Sequence, residues 1–256
     1  MQLSMENITA FVFVMARMSG CVLFNPIFAR KNVPNIAKSA LVLVLSVFLY
    51  VTIPFEVPRI TTTIEYMVLI SKEFIVGFVI GYIVSLFGYV IILGGEMIDF
   101  QIGIAMAKVF DPQTNMQVAL SSGFYNITYM LLFLGINGHI TLIKIFLTTA
   151  KILPFGNIIV GTDLPDYILQ IFCDCTVLAV KFAMPIVAVG IMVEMGVGIL
   201  MKLIPQINVF VLNIQIKLIV GLIGMIAIYY PLADFLEKMI VTMFDAIEIS
   251  MIYLTK

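Results

Sequence analysis

Apolar runs at 8–28, 40–53, 74–95, 123–150, 176–201 and 209–230, with no long hydrophilic linker between them, rule out a soluble globular fold for this chain. A hydrocarbon core takes about 20 helical residues, and each run reaches or approaches that length. Inside lipid every backbone N–H and C=O must be satisfied within the segment, so runs of this kind are helices. The composition agrees: 62% of residues are hydrophobic and 11% charged, where soluble domains carry about 25% charge. The expectation is an all-α, polytopic, membrane-derived chain forming one domain over 1–256. The second run is short and bounded by Pro54 and Pro58. The fourth is interrupted at Gly135-Ile136-Asn137-Gly138-His139, so it reads as one helix or two. The first run follows Glu6 with no basic region before it, and it reads as a retained helix rather than a cleaved leader.

Between the third and fourth runs lies a segment of different character, 96–112. It carries carboxylates at Glu96, Asp99 and Asp111, an amide at Gln101 and a lysine at Lys108, and it ends on Pro112. Lipid does not tolerate that polarity, so water on one side is the first expectation. A water-filled passage is one place where Asp99, Gln101, Lys108, Asp111 and Pro112 would find it.

Small residues form stripes that suit close helix packing. Gly77, Gly81 and Ser85 repeat at i, i+4 and i+8, and Gly190, Glu194, Gly198 and Lys202 repeat the spacing in the fifth run. Such stripes serve packing within one chain or between subunits. Charges also fall inside apolar runs, at Arg17, Lys144, Lys181, Glu194 and Lys217. Each costs about 2.5–3.5 kcal/mol if it faces lipid, so each calls for a partner or an aqueous surface. Opposite signs make Arg17 and Glu194 candidates for pairing. The turn Lys202-Leu-Ile-Pro205-Gln206-Ile-Asn208 joins the last two runs as a helical hairpin, because Pro205 biases Ile204 away from helix. Loop 30–38 holds Arg30, Lys31 and Lys38 without an acid, which favours an external N-terminus. Over all six runs the basic residues of the loops divide five against five, so the orientation rests on this loop alone.

Several chemistries find no support. The net charge is −1, so no basic surface points to nucleic acid. A single histidine, His139, excludes an H-E-x-x-H zinc protease; it reads as a hydrogen-bonded residue of the Asn-Gly-His turn. No G-x-S-x-G motif occurs, Gly196-Val-Gly198 is followed by Ile199 rather than aspartate, and no phosphate-binding loop appears. Cys21, Cys173 and Cys175 lack redox or zinc spacing and read as packing residues. The chain is expected to be non-enzymatic, with no cofactor and no metal.

Taken in order, the motifs resemble the FliR family of flagellar export-gate proteins and its injectisome counterparts. The pieces are Arg17-x-x-Gly20, Asn25-Pro26-x-Phe28, Val33-Pro34, Lys72-Glu73 before Gly77 and Gly81, and Asp99-Phe-Gln101-x-Gly103 with Asp111-Pro112. They continue with Asn137-Gly138-His139, Pro154, Gly156, Pro185, Pro205-Gln206-x-Asn208-Val-Phe210 and Lys217 before Gly221. Lys202 stands where the family usually has arginine, and Asn213 and Gln215 replace a glycine and a proline before Lys217. Loss of that proline predicts a straighter start to the last apolar helix.

The resemblance implies a gating and structural subunit of a type III export pore that passes unfolded flagellar proteins. It implies one copy of the chain assembled with FliP-like and FliQ-like subunits, with about 1–170 similar to a FliP-like part and about 171–256 to a FliQ-like hairpin and tail. It also implies that the segment from Asp99 through Pro112 plugs the pore, and that the turn of Lys202, Pro205, Gln206 and Asn208 faces a FlhB-like subunit at the cytoplasmic entrance. Arg17, Gly77, Gly81, Gly190, Glu194, Gly198 and Lys217 would serve helix packing and assembly. The site would be the bacterial inner membrane, in the flagellar basal body. From another class, a secondary transporter would show paired broken helices in two repeated halves, and 96–112 has no twin in the chain.

Overall fold

A computed structural model describes residues 5–30, 33–53, 60, 62–105, 109–111, 116–156, 158, 161, 163–204 and 209–254. Eight helices account for most of them: α1 (Met5–Leu23), α2 (Asn35–Thr52), α3 (Thr63–Ile102), α4 (Leu120–Gly135), α5 (Gly138–Ile152), α6 (Leu164–Leu203), α7 (Val209–Ala227) and α8 (Tyr229–Tyr253). Among the described residues the fold is all-α apart from one small antiparallel hairpin, β1 (Val109–Asp111) with β2 (Met116–Val118), in the register Val109 to Val118 and Asp111 to Met116. Its first strand lies in the polar segment 96–112 and its second lies just past that segment.

Two of the helices are 40 residues long, α3 and α6. At 1.5 Å per residue each measures about 60 Å, twice the hydrocarbon thickness. Both begin well before the apolar runs that announce them, at Thr63 rather than 74 and at Leu164 rather than 176. Residues 63–73 carry no proline, and Pro165 falls in the first turn of α6, where an N–H has no intrahelical partner in any case. Pro185 does fall inside α6 and removes one donor, yet the helix persists around it, as membrane helices do when neighbours satisfy the freed groups.

Among the described residues, α2, α3 and α6 are each long and apolar enough to cross a membrane, and the pairs α4–α5 and α7–α8 qualify if each counts as one broken span. The protein is therefore a helical membrane protein. The interruption expected at 135–139 is present: Asn137 takes the left-handed conformation at φ 58° between α4 and α5. At the second break, α7 and α8 meet at Ile228 with a bend of 60°. Pro231 explains it, since it has no N–H for the Ala227 carbonyl and its ring crowds that oxygen. α7 runs unbroken through Asn213 and Gln215.

The hydropathy runs end at 230 and give no sign of α8. Its apolar residues recur at Leu232, Leu236, Met239, Met243, Ile247 and Met251, all buried, while Asp234, Glu237, Lys238, Asp245 and Glu248 are exposed. This is the 3.6-residue period of an amphipathic helix, diluted below what a run of apolar residues reveals.

The described chain forms two compact units: Met1–Leu86, Asn137–Phe172 and Val241–Lys256 in the first, Phe87–Ile136 and Cys173–Ile240 in the second. In the first unit α1 lies against α3 so closely that a Cβ on Gly20 would sit 2.6 Å from the Phe74 carbonyl oxygen. Phe24 then wedges edge-on against Phe78 at 4.7 Å between ring centres. Tyr167 of α6 stacks on Tyr253 of α8 at 4.8 Å and donates its hydroxyl to the Ala246 carbonyl at 3.2 Å. In the second unit Phe182 of α6 is the hub. It meets Tyr125 of α4 edge-on at 5.0 Å and Phe235 of α8 at 5.8 Å, and it presses on α3 at Gly94.

Candidate functional site

The most polar point of the first unit is also its most buried. Arg17 on α1 and Glu73 on α3 are both 0% exposed. Arg17 Nε donates to Glu73 Oε2 at 2.7 Å, and Nη2 reaches the same oxygen at 2.7 Å. Its third arm, Nη1, donates to the carbonyls of Thr149 at 3.1 Å and Leu153 at 2.9 Å, at the end of α5. The guanidinium carbon lies 3.9 Å from the centre of the Phe155 ring. Glu73 uses its other oxygen to accept from the Gly156 N–H at 2.7 Å. Gly156 adopts φ 82°, a conformation that side chains disfavour. One ion pair thus joins α1, α3, the end of α5 and the turn that follows it. The expected pairing of Arg17 with Glu194 is corrected here: a carboxylate on the adjacent helix, whose other oxygen accepts the Gly156 N–H, takes the charge instead. Sequence reasoning singled out Arg17 but gave Glu73 no role beyond its place in a motif. The available signal was an acid inside α3 whose burial demands a cation.

The glycine stripes divide. Gly77 and Gly81 face α1 of the same chain, where a Cβ on Gly77 would strike the Arg17 carbonyl and one on Gly81 the Phe24 side chain at 2.9 Å. Ser85, next on the stripe, donates its hydroxyl to the Phe24 carbonyl at 2.9 Å. Gly190 leaves the space that the Gln101 side chain fills. Beyond Gly196 and Gly198 the space is open, with no described atom within 4 Å of an added Cβ.

Glu194 and Lys217 form an ion pair between α6 and α7. Mutual neutralisation lets both charges sit on an otherwise apolar hairpin. Lys144, Lys181 and Lys202 are exposed. Pro205, Gln206 and Asn208 lie outside the described residues, as do Lys108 and Pro112. The hairpin α6–α7 presents large uncovered apolar faces, including Met192, Met195 and Ile199 on α6 and Ile219, Ile223 and Ile226 on α7. On α2 the face of Leu43, Val44, Val47, Phe48 and Val51 is likewise exposed.

In the polar segment, Asp99 and Gln101 fall on the last turns of α3 and Asp111 on β1. Asp99 is 1% exposed. Its Oδ1 accepts from the Ser121 N–H at 3.2 Å and from the Ser121 hydroxyl, so protein donors rather than water satisfy it. Gln101 Nε2 is buried without a hydrogen-bond partner among the described residues. Of the cysteines, Cys21 and Cys175 are buried as packing residues should be, whereas Cys173 is exposed. His139 Nδ1 is buried without a described partner, so the hydrogen-bonded role expected of that residue does not extend to this nitrogen. Among the described residues no group of three or more His, Cys, Asp or Glu is placed to hold a metal ion.

Fold and site together define a helical membrane protein stapled internally by a buried ion pair, with wide exposed apolar faces. Its relatives show where it belongs. The family profile described as bacterial export proteins, family 1, matches residues 8–243, and the chain belongs to that family. It is 30% identical over 225 residues to the flagellar biosynthetic protein FliR of Bacillus subtilis, covering 85% of each chain. To FliR of Aquifex aeolicus it is 28% identical over 198 residues, or 77% of this chain and 76% of the relative. The Yop proteins translocation protein T of Yersinia pestis is 19% identical over 242 residues, 93% of each.

Proposed function

We propose that this chain is a gating and structural subunit of the flagellar type III export apparatus, required for flagellum assembly. The observation that carries the reading is the family match over residues 8–243, with FliR relatives aligned over most of both chains. In this reading FliP-like and FliQ-like subunits cover the exposed faces of α2, α6 and α7, and a FlhB-like subunit contacts the turn after Lys202. About 1–170 corresponds to a FliP-like part and about 171–256 to a FliQ-like hairpin and tail. The segment from Asp99 and Gln101 through Lys108, Asp111 and Pro112 plugs the pore through which unfolded flagellar proteins pass. The chain resides in the inner membrane, within the basal body. Two helices of about 60 Å support a position in which protein, rather than lipid alone, surrounds the chain.

An injectisome role is the second reading, and the Yersinia relative favours it, at lower identity than the flagellar ones. Deleting the gene distinguishes the two. Hook and filament are expected to vanish while the cytoplasmic flagellar subunits are still made. Normal filaments would refute the flagellar reading.

A further inference from the structure

The last turns of α8 grip the root of α6. Both pieces belong to the first unit, as 164–172 of α6 and 241–253 of α8. The Tyr167 ring stacks on the Tyr253 ring at 4.8 Å with an angle of 27° between their planes. The Tyr167 hydroxyl then reaches back along α8 and donates to the Ala246 carbonyl at 3.2 Å. Gly161, just ahead of α6, comes so close that a Cβ there would sit 2.8 Å from the Tyr253 carbonyl oxygen. Leu164 and Ile171 share the flank of Tyr167 at helical spacing, and both are buried.

The α8 side of this contact is equally closed. Ile247, Met251 and Leu254 are at most 2% exposed. Ser250 is 0% exposed and turns its hydroxyl back to the Ile247 carbonyl at 2.7 Å. The end of a helix frays unless packing ties it down, and here Leu254, just past the end of α8, is fully buried. Ala246, Tyr253 and Leu254 all lie past residue 243, where the family match stops. Family membership by itself therefore does not supply this contact.

We propose that Tyr167 and Tyr253 are positioning residues of a lock in which the end of α8 seats the root of α6, and that the chain enters its complex only with the root seated. Without the lock, Leu164 and Ile171 on one helix and Ile247, Met251 and Leu254 on the other lose cover, and apolar surface of that kind pairs indiscriminately. The lock stands on the contacts between the two helices. Its consequence for assembly rests on the reading of the chain as a subunit of an export apparatus.

The test is thiol labelling of Ile171→Cys in membranes carrying the full set of subunits, with Cys173→Ser and Cys175→Ser as background and native-gel recovery of the complex measured alongside. Loss of a buried aromatic pair predicts that Tyr253→Ala labels position 171 faster by about 10- to 100-fold. Cys21, fully buried elsewhere in the same unit, should stay protected, and recovery of the complex should fall. Tyr253→Phe keeps the ring and should restore both readouts. Tyr167→Phe keeps the stack and loses the hydroxyl, so its labelling should quicken by about two- to tenfold, which keeps the lock testable if Tyr253→Ala does not fold. Unchanged labelling at 171, equal exposure of Cys21, or no rescue by Tyr253→Phe overturns the lock. Faster labelling at 171 with parental recovery overturns the assembly requirement and leaves the export reading standing. A parent chain that labels slowly at 171 but enters no complex counts against the export reading and supports the lock.

Discussion

Removing Arg17 should loosen the first unit by an amount the structure allows to be worked out. Arg17→Met leaves the Glu73 carboxylate buried without its cation, a loss worth about 3–5 kcal/mol when one partner of a buried pair is deleted. Cys21 offers a reporter one turn away on α1, because it is fully buried and becomes reactive only when that packing opens. With Cys173→Ser and Cys175→Ser as background, thiol labelling follows Cys21 alone. The free-energy loss corresponds to labelling faster by about two to nearly four orders of magnitude. Adding Glu73→Leu removes the stranded charge but strands the Gly156 N–H, which costs about 1–3 kcal/mol. The double variant should therefore label more slowly than Arg17→Met, though faster than the parent. Labelling of Arg17→Met within twofold of the parent, or a double variant as fast as the single, would refute the assignment of the pair as the staple of this unit.

The two glycine stripes should respond differently. Gly77→Ala forces α1 from α3 and should cost about 1–3 kcal/mol, read as faster Cys21 labelling. Gly198→Leu points into open space, so it should leave that labelling unchanged while reducing native-gel recovery of the whole complex; wild-type recovery would mean the open stripe docks nothing. A cysteine at the exposed Ile204, beside Lys202, should react with a thiol reagent admitted only from the cytoplasm and crosslink to the FlhB-like subunit. Labelling solely from outside would invert the orientation inferred from Arg30, Lys31 and Lys38. Glu248→Cys on the charged face of α8 should react with a water-soluble reagent, whereas Met243→Cys on the buried face should not. Equal reactivity would show that α8 does not pack as described.

The amino-acid sequence determined much of this protein by itself. Long continuous apolar runs required helices in a membrane, since the other arrangement that satisfies its own polar groups there, a closed barrel, is built from strands of about 10 residues with alternating polarity. Gly135 to His139 announced the break that Asn137 makes, and the ordered motifs announced the family. These are local signals: hydropathy, turn chemistry and spacing act over a few residues. The tertiary structure alone decided which distant groups meet. Arg17 takes Glu73, 56 positions away, and two carbonyls some 130 positions away, rather than Glu194. Asp99, whose polarity suggested water, is satisfied by the start of α4. Gly77 and Gly190 carry similar spacing, yet one receives the α1 backbone and the other the Gln101 side chain, while Gly198 receives neither. A buried charge states only that it needs a partner. Which partner it finds depends on helix crossings set by packing, and those join residues too far apart in the chain for any local pattern to connect.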